Sequence, residues 1–178
     1  MEHADHVFLL REGMMDAGET WADFGSGTGA FTLALADLLG VGGRIFSIDR
    51  DAGALHRQAQ RMKARFPETQ VVYIHADFTR AFEAAIPPLD GIVMANALHF
   101  VTREKQGEVL RKLRGYLKPG GRFILVEYNT DRGNPWVPYP LSYSRYAALA
   151  QQCGFQQTRF LAKVPSSFLN EFYSALSV

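Results

Sequence analysis

Five residues, Gly25-Ser26-Gly27-Thr28-Gly29, set the tightest limit on what this chain can fold into. They follow a short strand-like run, Thr20 to Phe24. They lead into Phe31, Leu33, Leu35, Leu38 and Leu39, which read as one apolar helix closed by Gly40. Glycines at alternate positions let the backbone approach a bound ligand closely, and the helix behind them points its partial positive end into the crevice. Alone, the turn is ambiguous, because Gly25-x-Gly27-x-x-Ala30 also satisfies the dinucleotide-binding pattern.

The rest of the chain repeats the strand-then-helix rhythm of a mostly parallel sheet covered on both faces. An opening helix is expected from about Asp5 to Arg11, before the first strand. Arg44 to Ile48 reads as the second strand, with Asp51 capping a helix that runs to about Phe66, where Pro67 stops it. Val71 to Ile74 and Gly91 to Met94 read as strands three and four. Thr102 is placed to cap a helix through Leu117, and Pro119-Gly120-Gly121 to turn the chain into a fifth strand, Arg122 to Glu127. A helix from Ser142 to Cys153 precedes two last strands, Phe155 to Val164 and Ser167 to Leu176. Their short connection leaves no room for a crossover, so they must pair antiparallel. Residues 129–141 hold Pro135, Trp136, Pro138, Tyr139 and Pro140 in an irregular stretch, and loops of that length are more often functional than idle.

Composition removes several classes of function. A net charge of +1 gives no footprint for nucleic acid or an anionic membrane. Arg57, Arg61, Lys63 and Arg65 do gather on one helix, either as a locally basic face or, the plainer reading, as its solvated side. Cys153 is the only cysteine, so no disulfide framework or thiolate metal cage is expected, and Cys153 itself reads as structural. No apolar run reaches the roughly 18 residues that span a bilayer, and the opening residues do not resemble a signal peptide, so a cytoplasmic protein is expected.

Asp49 ends the second strand, where a carboxylate can accept hydrogen bonds from both hydroxyls of a ribose. The alternative for Asp49 is a helix cap without a ligand. With the glycines, it points to a nucleoside-containing ligand, either a nicotinamide dinucleotide or S-adenosylmethionine. Asp23, two residues before Gly25, would repel a pyrophosphate but suits the ammonium of a methionine tail, directly or through water. Asp77 after the third strand can accept from an adenine amino group, with Phe78 packing on the base; Asp77 also fits a plain turn residue. A dehydrogenase would need a further substrate-positioning region after the last strand, which demotes the dinucleotide.

These residues resemble the class I S-adenosylmethionine-dependent methyltransferases, in particular the small type 11 group, over nearly the whole chain. Trp21 to Gly29 is similar to that family's first motif, Ile48-Asp49 to its second and Ala76-Asp77-Phe78 to its third. Gly91 to His99 is similar to the fourth motif, and Leu113 to Arg122 to the loop before strand five. The resemblance implies a single α/β domain over residues 1–178: a Rossmann-like, doubly wound, seven-stranded sheet of order 3-2-1-4-5-7-6 with strand seven antiparallel. It also implies S-adenosylmethionine as cofactor and S-adenosylhomocysteine as product. By position, Asp23, Gly25 and Gly27 belong with the methionine portion, Asp49 with the ribose, and Ser26 with the cofactor-binding turn. Arg50, Asp77 and Phe78 belong with the adenine, and Asn96 and Ala97 with the methyl-facing side.

A sulfonium is already an activated donor, so the protein has mainly to align the acceptor and exclude water. A base is needed only for an acceptor that arrives protonated. His99, after the fourth strand, is the base candidate, its alternative being a histidine bonded to backbone. Glu127, Tyr128 and Asn129 end the fifth strand on the same edge, and the aromatic loop after them can cover an apolar acceptor. The expected partner is a small molecule, with no nucleic-acid or membrane signal; a second subunit in a homodimer would close an otherwise open site. Asn96 is followed by Ala97-Leu98, not by the Pro-Pro-Tyr of amino-group methylation in nucleic acid, and neither arsenic nor metal-dependent catechol chemistry finds its ligands. Two further readings stand beside small-molecule methyl transfer: a non-catalytic module that binds the cofactor or its product, and a nicotinamide-dependent oxidoreductase.

Overall fold

The computed structural model describes residues 1–16 and 18–178. Seven strands form one sheet of order β3-β2-β1-β4-β5-β7-β6. They are β1 (Thr20–Phe24), β2 (Arg44–Asp49), β3 (Gln70–His75), β4 (Leu89–Ala95), β5 (Leu117–Tyr128), β6 (Thr158–Pro165) and β7 (Glu171–Ser177). The helices are α1 (His3–Met14), α2 (Ala30–Leu39), α3 (Ala52–Arg65), α4 (Arg103–Arg114) and α5 (Tyr143–Gln152), with a 3-10 turn at Leu98–Phe100. β1 pairs in parallel with β2 on one side and β4 on the other, so the chain reverses its direction of travel across the sheet there. β7 runs antiparallel to both β5 and β6. This is the doubly wound architecture that the motifs implied.

Period-two alternation sorts the strand residues into two cores. Ala22, Phe24, Ile92, Met94, Phe123 and Leu125 join Leu110, Leu113 and Tyr146 of α4 and α5. Trp21, Val93, Ala95, Ile124 and Val126 face Leu9, Leu10, Leu33 and Leu35 of α1 and α2. Asp23 shares the parity of Trp21, so its carboxyl points toward α2 from inside the sheet.

The elements differ from expectation mainly at their ends. α1 is longer than residues 5–11, because the Glu2 N–H donates to Asp5 Oδ2 at 2.8 Å and fixes an earlier start. α4 stops at Arg114, and Leu117 already pairs with Leu89, so Pro119-Gly120-Gly121 lies in an irregular opening of β5 where the register shifts. β6 and β7 start later than expected. Phe155 turns into the core beside Cys153, while Ser166 Oγ accepts the N–H groups of Phe168 and Leu169 and shapes the hairpin loop. Asp51 caps α3 by accepting from Ala54 N at 3.0 Å. Thr102 and Ser142 occupy N-cap positions without a side-chain cap, Ser142 instead bonding Asp131.

Gly91 pairs with Trp21 across β1 and β4, and a Cβ there would lie 2.4 Å from the indole ring. Gly91→Ala is therefore expected to cost about 1–3 kcal/mol of stability by overpacking. Urea unfolding checks this; a change within error would mean that Trp21 repacks freely.

Candidate active site

The glycine turn is tied to the end of β2. The N–H groups of Gly25 and Ser26 donate to the Ile48 carbonyl at 2.8 and 3.1 Å, and Gly27 N–H donates to Asp49 Oδ2 at 2.7 Å. Gly25, Gly27 and Gly29 have φ of +79°, +53° and +85°, the left-handed region that only glycine enters without strain. A Cβ on Gly25 would lie 2.5 Å from the Ala97 Cβ, whereas one on Gly27 would meet nothing within 4 Å. The first glycine lets β1 and β4 close up; the second leaves room for something else.

That room is a cavity of about 360 Å³ at the carboxyl ends of β1, β2 and β4, within the roughly 300–1,000 Å³ of ligand pockets. Gly25, Gly27, Asp49 and Arg50 line it. So do Asp77, Phe78, Asn96 and Ala97, with Phe100 and Val101 from the 3-10 turn. Asp49 accepts from Gly27 N and, through Oδ1, from Asp51 N at 2.8 Å, so it braces the turn and also fronts the cavity. Asp77 does bond within a turn, to Thr79 N and Oγ1 at 2.9 and 2.6 Å, while facing the cavity. Burial opposes its charge, and the Thr79 bonds with Arg80 and Arg50 outweigh that, holding its carboxyl below the usual range. Lys112 Nζ donates to the carbonyls of Phe78 and Arg80 and so tethers this loop to α4. Asn96 sits at φ +52°, and its Oδ1 is buried without a partner: an acceptor waiting for a donor.

Three of the residues expected at the site lie away from the cavity wall. Asp23 is buried behind the turn, where its Oδ2 accepts from Thr32 Oγ1 at 2.6 Å. Ser26 points backward too, into a buried polar set centred on Gln58 of α3. Gln58 Nε2 donates to Thr32 Oγ1 at 2.7 Å and Ser47 Oγ at 2.9 Å, and Gln58 Oε1 accepts from Ser26 and Ser47. Because Gln58 donates to Thr32, the one Thr32 proton is directed at Asp23. Gly29 accommodates this set, since a Cβ there would lie 2.4 Å from Gln58 Cγ. Gln58 was legible in principle: Leu55, Gln58 and Met62 recur at helical spacing, and a glutamine on an otherwise apolar stripe needs a reason to be there.

His99 is the third. It is buried beside the cavity, and its Nδ1 lies 2.9 Å from both oxygens of the fully buried Glu127. Glu127 also takes the His99 and Tyr128 backbone N–H groups at 3.2 and 2.8 Å. A carboxylate oxygen only accepts, so Nδ1 carries a proton toward Glu127, and Nε2 is the ring nitrogen that Glu127 leaves free. Glu127 is the penultimate residue of β5, which lies beside β4 with Ala95 paired to Val126.

An acidic cavity at the switch point of a 3-2-1-4-5-7-6 sheet defines the class of the fold, that of class I S-adenosylmethionine-dependent methyltransferases. The chain belongs to the methyltransferase domain family, whose model matches residues 22–121, more than half of its length. It is 27% identical over 143 residues to a 2-phytyl-1,4-naphtoquinone methyltransferase of Trichormus variabilis, covering 79% of this chain and 61% of that protein. It is 31% identical over 114 residues to a ubiquinone/menaquinone biosynthesis C-methyltransferase of Azotobacter vinelandii, covering 63% of this chain and 43% of that one. The fold is shared with a S-adenosylmethionine-dependent methyltransferase from Aquifex aeolicus, at a TM-score of 0.72 and 19% identity over 98% of this chain and 90% of that chain. Among the described residues no helix is long and apolar enough to cross a membrane.

Two predictions follow from this geometry. Asp49→Ala removes the brace on Gly27 together with two acceptors at the cavity, and should weaken S-adenosylhomocysteine binding by about 30- to 1,000-fold. Calorimetry checks it; a loss under about threefold would remove Asp49 from the site. Burial pushes the Asp23 carboxyl up from 3.8 to about 7, against the Thr32 hydrogen bond. A group raised on folding stabilises fully below its unfolded value and loses that contribution as pH rises toward its folded one. The ligand-free protein should therefore lose up to about 4 kcal/mol between roughly pH 4 and 7 on this account, and Asp23→Asn should flatten the profile. Parallel urea-unfolding profiles for the two proteins would contradict it.

Proposed function

We propose that residues 1–178 form one S-adenosylmethionine-dependent methyltransferase domain acting on a small-molecule acceptor. The observation that carries this reading is the convergence on one cavity of the β1 glycine turn, the acid ending β2, the Asp77-Phe78 pair and the unpartnered Asn96 oxygen. The cofactor fits the residues present. Asn96 Oδ1 lacks the donor that an ammonium supplies, and Gly27 leaves open the space that a methionine tail needs. Asp49 would hold the ribose, Asp77 and Phe78 the adenine with Arg50 beside it, and Gly25, Gly27, Asn96 and Ala97 the methionine side. Asp23, set behind Gly25, contributes negative charge toward that side whenever it is ionised.

When bound, the sulfonium supplies an electrophilic methyl group. What the chain adds is alignment, dryness and a proton acceptor. Glu127 holds His99 in the tautomer whose Nε2 can accept a proton, and the 129–141 segment is held over this edge by Tyr139 N–H donating to the His99 carbonyl at 3.0 Å. The relatives named as quinone methyltransferases support a small organic acceptor. The cytoplasm suits a chain with this composition.

His99→Ala should lower turnover by about 10²–10⁴-fold while leaving S-adenosylhomocysteine affinity within about twofold. Methyl transfer to a panel of small acceptors, with binding measured in parallel, checks this. Unchanged turnover would end the role of His99. Tight binding with no transfer to any acceptor would favour the non-catalytic module.

A further inference from the structure

We infer that the acceptor is a neutral, flat aromatic compound bearing an ionisable hydroxyl, seated on a row of aromatic side chains that runs outward from the cofactor cavity. This rests on the methyl-transfer reading of that cavity and names the substrate class it serves.

The row is continuous. Phe100 lines the cofactor cavity and lies 4.2 Å from the His99 ring, centroid to centroid. His99 is 5.9 Å from Tyr128, which is 6.2 Å from Phe168, which is 6.3 Å from Trp136 in an edge-on contact. Beside Tyr128 and Phe168 a groove of about 440 Å³ is lined by these two rings and Phe172. Phe100, Phe168 and Trp136 are 56%, 50% and 71% exposed. They come from three separate connections, after β4, between β6 and β7, and between β5 and α5, yet all meet at the carboxyl edge of the sheet. Large exposed apolar patches of this kind mark binding surfaces.

The rings are held out by their backbones. Asn134 Oδ1 accepts the N–H groups of both Trp136 and Val137 at 2.9 Å, and Asn134 N–H donates to the Val137 carbonyl at 3.0 Å. Gln106 Nε2 donates to the Tyr139 carbonyl at 2.9 Å, and Ser166 Oγ shapes the turn that presents Phe168. Aromatic rings pinned in this way offer edges and faces to a planar ligand at little cost in ordering.

Charge narrows the class. The rings of the row, Phe100, Tyr128, Phe168 and Trp136, carry no cation, and Glu127 lies beneath His99. An acceptor that arrives as an anion meets Glu127 with no cation in the row to offset its desolvation. One that arrives as a neutral hydroxyl becomes an anion only as its proton leaves for His99 Nε2. The acceptor oxygen then bonds the methyl carbon, and the carbon–sulfur pair stays on sulfur as a neutral thioether. The products are the methyl ether, the neutral thioether and one proton held on His99.

The test uses the whole chain saturated with S-adenosylhomocysteine, 1-naphthol as probe and 1-naphthoate as its anionic counterpart. Trp21 is fully buried, so quenching of tryptophan fluorescence reports on Trp136. The expected result is quenching by 1-naphthol, with naphthoate at least about tenfold weaker. Trp136→Ala and Phe168→Ala should each weaken naphthol binding, read by calorimetry, by about fivefold or more with S-adenosylhomocysteine affinity unchanged. Equal naphthol binding by wild type and both variants, or naphthoate binding as tightly as naphthol, would overturn the inference. So would a dimer, seen by sedimentation, that Trp136→Ala dissociates, since the row would then be covered by a second copy. Failure of the wild type to bind S-adenosylhomocysteine would instead remove the methyl-transfer reading itself.

Discussion

The hydrogen bond from Gly27 N–H to Asp49 Oδ2, 2.7 Å long, joins the two elements that everything at this site depends on. It holds a turn that only glycines can make against the acid that ends the neighbouring strand. Parallel pairing of β1 with β2 brings Phe24 level with Ile48, which places the two strand ends side by side. Once they are level, the Gly25 and Ser26 N–H groups find the Ile48 carbonyl, and Gly25 and Gly27 line the cavity. The site is thus a product of strand register as much as of the residues that line it.

Behind the turn, the polar set of Asp23, Thr32, Gln58, Ser47 and Ser26 occupies ground that would ordinarily be apolar. It is almost closed as a hydrogen-bond system: both Gln58 amide hydrogens, its carbonyl and the hydroxyls around it have partners. Such a set is costly when half satisfied and rigid when complete. Here it fixes α3 to the turn, a fixation repeated one helical step later where Arg61 donates to the Thr28 carbonyl at 2.9 Å. Gln58 is accordingly a positioning residue, acting on the cavity only through Ser26 and Thr32.

Much of this was legible in the sequence, and what was not has physical reasons. Strand cores were legible because residues buried on both faces read as unbroken apolar runs, as in Ile92, Val93 and Met94. Gly25, Gly27 and Asp49 were legible because backbone geometry and charge restrict those positions to few residue types. The ends of β5, β6 and β7 were not, since the start of β5 is set by Leu117 pairing with a distant Leu89. Nor was the direction of Asp23 and Ser26, which depends on where α2 and α3 pack. The pairing of His99 with Glu127 required knowing that β4 and β5 are neighbours. Each nevertheless sits at the carboxyl end of a parallel strand, which is where the sequence placed the chemistry.

The central claim, that the cavity is built for S-adenosylmethionine or its demethylated product, is tested most directly by calorimetric titration of the folded protein with S-adenosylhomocysteine, with NADH as control. The account predicts binding of the first alone, with a dissociation constant on the order of micromolar. A protein shown to be folded that takes up NADH, or neither compound, would contradict it.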